Sequence, residues 1–419
     1  MQKNWIKTTL GEVCFTTSGG TPSRRNDNYY NGSIPWVKSG ELDKGIIYET
    51  EENITEEAIK NSSAKLFPKG TLLIALYGAT IGKLAFLGIE ATTNQAICGI
   101  FENDTINQKY LYHYLFHKKR DLIGQGTGGA QPNISQTILK KLSLPLPPLP
   151  EQRAIVAKIE QLFSELDNGI ANLKTAQEQL KVYRQGVLKM AFDGEYCLTI
   201  LENVAKWGSG GTPSRKNPEY YKGNIPWLKT GELGEKYIFN TEEKITSDAI
   251  RNSSAKIFSK NSIVIAMYGA TIGKVSIMGV EMSTNQACAV AQPLEIIDKE
   301  FLYYYLLSEK RNFVNMGKGG AQPNISQGII KTYPIPLPSI IEQHQIVQQI
   351  ESRLSVCDKV EEIIVENLQK AEALRQSILK KAFVGEVLTE AEIAACKKEP
   401  DWEPAGELLK RIKKEKTKS

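Results

Sequence analysis

At 419 residues, 41% of them apolar and 24% charged, the chain is too long for one average core and has the balance of an ordinary globular protein of two domains or more. No apolar run approaches the ~18–20 residues of a membrane helix, and the opening MQKNWIKTTLGEV lacks an apolar stretch of signal-peptide length. The six cysteines stand singly, which argues against zinc and a disulfide framework and suits a reducing cytoplasm; a net charge of +5 permits an anionic partner without demanding one.

In chain order, residues 1–150 are rich in Gly, Thr, Ser and Asn, with short strand-like runs. GGTPSR opens a loop at Gly19, and IPW follows at Ile34. TLLIALYG and AICGIF read as buried strands bounded by glycine. KYLYHYLFHKKR, at 109–120, reads as an amphipathic helix. His113 and His117 stand four apart on it, and no nearby Cys, Asp or Glu cluster supports a metal, so a helix-face pair is expected. GGAQPNISQ starts at Gly128, and LPLPPLP ends the globular part. Pro150 suits the first turn of a helix, and Glu151 suits its positive end. Alternating steps of four and three from Ile155 to Met190 then meet an apolar residue everywhere except Gly169, which is a heptad seam. About 36 helical residues would span ~54 Å.

The whole order then recurs. GGTPSR returns at Gly210, IPW at Ile225, NSSAK at Asn61 and Asn252, TNQA at Thr93 and Thr284, and GGAQPNISQ at Gly319, always 191 residues on. Over 61–83, 16 of 23 positions are identical to their partners in 252–274. The period is far too long for a solenoid, so this is a tandem duplication. A weaker heptad seam runs over 346–378. Each globule is thus a mixed α/β domain followed by a rod. Two rods in one chain pair most economically as an antiparallel coiled coil, with a globule at each end and internal pseudo-twofold symmetry.

YGATIGK, at Tyr77 and Tyr268, falls short of a nucleotide-binding loop. Three residues, not four, separate its glycines, and Leu84 or Val275 stands where a magnesium-binding hydroxyl belongs. It reads either as a strand-ending turn with solvated Lys83, or as a turn whose amides, Thr80 and Lys83 face phosphate or base edges. Asn217-Pro218-Glu219-Tyr220 departs from the adenine methyltransferase motif at its third residue, and no GxGxxG after a strand, HExxH or GxSxG is present. A catalytic role is not expected.

GGTPSR…IPWVKSGEL, LLIALYGATIGK…TTNQAI, and GGAQPNISQ…LPLPPLPEQRAIV with a heptad helix ending in KMAFDGE resemble, in that order and twice over, the halves of a type I restriction–modification specificity subunit; EPDWEPAGELLKRIKKEK resembles the end of one. The resemblance implies target-recognition domains at 1–150 and 196–341, helical spacers at 151–195 and 342–390, and a basic tail at 391–419. The tail is expected to dock a partner, bind phosphate or fray. It further implies that each globule reads half of a bipartite site on double-stranded DNA. Two modification (methyltransferase) subunits would dock on the helices, and ATP-dependent restriction subunits would complete the complex. S-adenosylmethionine, ATP and Mg2+ would then belong to those partners and none to this chain, which would be cytoplasmic and membrane-free. A rod of ~54 Å matches about 15 base pairs at ~3.4 Å rise. The likeness of the two globules predicts a near-palindromic site.

Arginine pairs with guanine, and Asn or Gln with adenine, in the major groove. The candidates are Ser23, Arg24, Arg25 and Asn26 with Ser214, Arg215, Lys216 and Asn217; Lys38 and Ser39 with Lys229 and Thr230; Thr80 and Lys83 with Thr271 and Lys274; and Gln131 and Asn133 with Gln322 and Asn324. The competing reading of the last group is a turn that Asn133 or Ser135 caps. The competing function is a coiled-coil adaptor that binds protein and reads no DNA.

Overall fold

Leu72–Ala75 and Ile97–Ile100 are apolar on both faces, and each is buried along its whole length. In the computed structural model, which describes residues 4–125, 133–317 and 324–416, they are central strands. Two compact units divide the chain, Met1–Asn172 with Asn367–Ser419, and Leu173–Glu366.

In the first unit a five-stranded sheet runs in the order Thr16–Ser18, Ile97–Ile100, Leu72–Ala75, Leu84–Leu87, Ile46–Ile47. Its last pair is parallel and the others antiparallel. The period of two divides its side chains. Leu72, Ile74, Cys98 and Ile100 pack with Tyr110, Leu111 and Leu115 of the helix Gln108–Gly124, whereas Leu73, Ala75 and Ile97 pack with Val37, Leu42 and Phe67. A four-stranded sheet (Glu52–Ile54, Tyr30–Val37, Ala91–Thr93, Leu66–Phe67) carries the loops, and Ile6–Thr9 pairs with Ser143–Leu146. The second unit repeats all three sheets strand for strand. One helix is interrupted in the second copy. The counterpart of Gln108–Gly124 stops at Ser308 and restarts at Lys310. Ser308 Oγ bonds back to the Tyr305 carbonyl at 2.7 Å, and the Glu309 carboxylate accepts from the Tyr333 hydroxyl and Asn312. His113 and His117 lie on the core side of Gln108–Gly124, edge-on to Phe163 and stacked on Phe383 respectively.

The long helices are Leu149–Ala191 (43 residues) and Ile340–Val384 (45 residues), and each contributes to both units. In the first unit Ile155 and Ile159 share a core with Leu379, Ala382 and Phe383, and Arg375 donates to Asp167. In the second, Leu188 meets Ile346, Val347 and Ile350, and Arg184 pairs with Asp358 at 2.7 Å and Glu361 at 2.8 Å. Both pairings run antiparallel. The seam read over 155–190 stays inward through Leu180 except at Gly169, and beyond it only Val187 stays buried. Tyr183 (53% exposed) and Met190 (70%) point outward, and Arg184 and Leu188 take their places. A helix of 3.6 residues per turn slips about 20° per heptad against a strict seven-residue repeat. The seam that looked weaker in the sequence holds at alternate steps: Ile350, Cys357, Ile364, Ala371 and Ile378 are buried, whereas Val360 and Leu374 between them are exposed.

The repeated Glu-Gln after the prolines fixes helix to globule. The Gln152 amide, fully buried, accepts from Asn107 N (2.8 Å) and donates to the Pro147 carbonyl (2.9 Å). Gln343 repeats this with Asp298 N (2.7 Å) and the Pro338 carbonyl (2.9 Å), and adds the Ile296 carbonyl (3.1 Å). Gln343→Ala would orphan the half-buried Asp298 N–H. We expect a loss of about 1–3 kcal/mol, read as a lower urea midpoint at unchanged slope.

The C-terminal segment is not frayed. Glu390–Cys396 and Ala405–Lys416 are helices, and Leu408 and Ile412 lie in the first unit's core. Among the described residues no helix is long and apolar enough to cross a membrane.

Candidate nucleic-acid interface

The duplicated motifs, scattered in sequence, converge. A Cβ on Gly19 would lie 2.0 Å from Thr93 Oγ1, and one on Gly20 2.3 Å from the Ser63 carbonyl carbon. Only glycine therefore lets GGTPSR lie against TNQA and NSSAK. Gly20 N donates to the Thr93 carbonyl (2.9 Å), the Thr21 hydroxyl donates to Gln95, and Trp36 Nε1 donates to the Gly20 carbonyl (3.1 Å). Trp36 is a core anchor, and its bond to Gly20 pins the loop.

That loop carries the predicted arginine. The Arg24 guanidinium lies 4.3 Å from the Tyr30 ring centre and 5.0 Å from that of Trp36, and Nη1 donates to Glu52 at 2.6 Å. Lys38 Nζ reaches the same carboxylate at 3.0 Å and Glu51 at 2.7 Å. Arg24 depresses the Glu52 carboxyl below its ordinary range, and Glu51 and Glu52 raise Lys38. The second copy repeats the network. Arg215 lies over Tyr221 (4.1 Å) and Trp227 (5.2 Å) and pairs with both oxygens of Glu243, while Lys229 pairs with Glu242 and Glu243. Two cations meet two carboxylates, so each network is close to neutral. It orients an arginine; it does not present a bare positive patch.

The other predicted side chains divide. Ser23 Oγ accepts from Arg25 N, and Asn26 Oδ1 accepts from Asn28 N at 3.2 Å, so both shape the loop. Asn217 does the same for the short helix Pro218–Tyr221, which accounts for the methyltransferase-like tetrapeptide as a cap. Ser214 is exposed, and the Arg25 and Lys216 side chains project into solvent. Ser39 and Thr230 begin short 3-10 helices, Ser39–Asp43 and Thr230–Glu232.

YGATIGK forms a 3-10 turn at Gly78–Thr80, with Gly78 at φ +64° and Gly82 at φ +72°, where only glycine is unstrained. Thr80 Oγ1 donates to the Tyr77 carbonyl at 2.9 Å, and Thr271 repeats this at Tyr268. Tyr77 bridges to Asn133, and Ile134 N donates to the Leu76 carbonyl (2.9 Å), so the end of GGAQPNIS lies beside the turn. Tyr268 and Asn324 match them. Ser135 caps the helix Gln136–Lys140. Gln131 and Gln322 lie outside the described residues. Lys83 Nζ pairs with Asp43 at 2.9 Å.

Sequence reasoning missed Glu51 and Glu52 (Glu242 and Glu243) and the half-exposed Tyr77 and Tyr268. The 191-residue offset was the available signal, because TEE recurs at Thr50 and Thr241.

Two like units, each a set of small sheets displaying a buttressed arginine beside a glycine-bounded turn and joined by paired helices, make a duplicated recognition module. Residues 2–175 and 199–370 match the family described as "Type I restriction modification DNA specificity domain", and the chain belongs to that family of specificity subunits. It is 27% identical to the EcoBI specificity subunit of Escherichia coli, over 99% of this chain and 93% of that one. It is 26% identical to the MjaIX specificity subunit of Methanocaldococcus jannaschii, over 93% and 94%. Its fold matches the HsdS subunit of Thermoanaerobacter tengcongensis at a TM-score of 0.64 and 19% identity, over 92% of this chain and 98% of that one.

Proposed function

We propose that each unit reads one half of a bipartite site on double-stranded DNA, and that the chain brings modification and restriction subunits to that site without supplying a catalytic group. The observation that carries this reading is where the two copies have stayed alike. Between 168–183 and 359–374, in the middle of the long helices, no position is identical. Over 61–83 the copies share 16 of 23, and the Arg–Lys–Glu network and the backbone bridge of the glycine turn recur. The middles of the helices diverged, whereas their ends, which pack on the globules, and the loop motifs diverged less. Packing asks only for apolar residues at a period, whereas base edges ask for particular donors in a particular frame.

Roles follow from the geometry. Arg24 and Arg215, held by carboxylate and ring, lose little freedom on meeting a guanine edge. Arg25, Lys216 and Lys274 meet phosphate. Asn133 and Asn324, beside the turns, reach base or sugar. The apolar side chains left outward on the helices, Val182, Tyr183 and Met190, suit docking of methyltransferase subunits, which would carry S-adenosylmethionine, while the restriction subunits carry ATP and Mg2+.

Single-molecule methylation mapping of DNA from cells expressing the chain with its modification subunit tests the reading. The expected result is an interrupted adenine-methylated motif with identical or nearly identical halves. Two unrelated half-sites would overturn the symmetry. No methylation from an assembled complex with an active methyltransferase would overturn DNA reading in favour of a protein-binding adaptor.

A further inference from the structure

The two YGATIGK turns are identical in sequence and backbone but not in electrostatics. Lys83 is paired with Asp43 at the end of Ser39–Asp43. In the second copy the position of Asp43 is Gly234, with φ +148°. Among the described residues Lys274 makes no ion pair. Of the carboxylates nearest in sequence to Gly234, that of Glu232 is occupied by the backbone N–H groups of Lys229 (2.9 Å) and Glu242 (2.8 Å), and Glu235 forms no ion pair.

We propose that Asp43 is a built-in competitor for DNA phosphate at Lys83, so that the second half-site is held by one more effective phosphate contact than the first. This rests on the DNA-reading function above. A bare lysine that meets a phosphate releases a condensed counterion. A lysine already neutralised by a neighbouring carboxylate releases none on balance, and leaves that carboxylate facing the phosphate. Asp43 is 63% exposed, and such a pair contributes little to folding. Its removal therefore changes binding without unfolding the domain. The same carboxylate gives one recognition site two unequal halves, although the reading loops are alike.

The test uses the full chain and a duplex carrying the mapped site, with affinity measured between about 50 and 200 mM salt. Lys274→Ala is expected to lower the slope of log affinity against log salt by about 0.9, and Lys83→Ala to leave it nearly unchanged. Asp43→Asn is expected to raise the slope by about 0.9, a gain that Lys83→Ala then removes. Equal effects of Lys83→Ala and Lys274→Ala, or no change of slope in Asp43→Asn, would overturn the proposal. So would a relaxed base preference in Asp43→Asn at constant slope, since the carboxylate would then be reading a base. A wild-type chain that bound the mapped duplex no better than a scrambled one would instead remove the DNA reading itself.

Discussion

Arg24→Ala is expected to reduce discrimination between the cognate site and a site altered in the first half by about 1–3 kcal/mol, roughly 5- to 150-fold, with a much smaller change in affinity for unrelated DNA. The geometry sets that asymmetry. Arg24 is paired with Glu52, which Lys38 also holds, so the network offers phosphate little net charge. What it offers is a planar donor set stacked on Tyr30 and Trp36. Glu52→Gln keeps the arginine but loosens it and frees Lys38. Discrimination should fall less than in Arg24→Ala, while nonspecific affinity and its salt dependence rise. Competition binding with cognate, half-altered and random duplexes separates these outcomes. Equal weakening on all three by Arg24→Ala would make it a phosphate contact. An unchanged preference with a lower melting temperature would make it a loop anchor only. The pairing also predicts an acid limit. The folded Glu52 carboxyl titrates below 4.5, its ordinary value, so its stabilisation is complete above that pH and fades as pH falls through the lowered folded value.

The parts of this molecule that were legible in the sequence are those set by short-range rules. Leu72–Ala75 had to be a buried strand because four apolar residues stand between turn signals. The long helix had to begin near Pro150 because proline is at home in a first turn, and it begins at Leu149. Antiparallel packing followed from two apolar seams in one chain. The interface was less legible because its distinguishing feature is a contact. Arg24 announces itself as a base reader by residue type, but whether it is bare or buttressed depends on Glu52, 28 residues away at the start of a strand. The same holds for Lys83, which is like Lys274 in its heptapeptide and unlike it because of a residue 40 positions earlier. The tail misled for a related reason. Its lysines are conspicuous, whereas Leu408 and Ile412, four apart on one helix face, have meaning only once a groove exists to take them.

Deleting residues 389–419 is accordingly expected to destabilise the first unit by about 3–6 kcal/mol or more, the scale of returning two fully buried aliphatic side chains to water. Leu408 and Ile412 share a core with Trp5, Leu10 and Cys14, and Ala405 and Cys396 are buried with them. Arg153 grips Asp401 with two nitrogens at 2.7 and 2.8 Å, Lys413 pairs with Glu12, and Lys416 donates to the Gly11 and Cys14 carbonyls. Beneath the segment lies Glu151, wholly buried, accepting from Trp5 Nε1 at 2.9 Å and pushed upward by that burial. Uncovering it adds the loss of a sheltered hydrogen bond. Every one of these partners belongs to the first unit, so the effect should be local. Amide exchange in the deletion variant should accelerate in Ile6–Thr9, Leu10–Val13 and the first turns of Leu149–Ala191. Leu198–Ile200, Leu201–Val204 and the first turns of Ile340–Val384 should keep wild-type protection. Uniform acceleration in both sets would mean that the two units unfold as one. Unchanged protection at Ile6–Thr9 would mean that the segment rests on the unit without holding it together. Leu408→Ala with Ile412→Ala in the full chain separates burial from charge: if the apolar face carries the docking, this pair should reproduce most of the local exchange with the Arg153–Asp401 pair still in place.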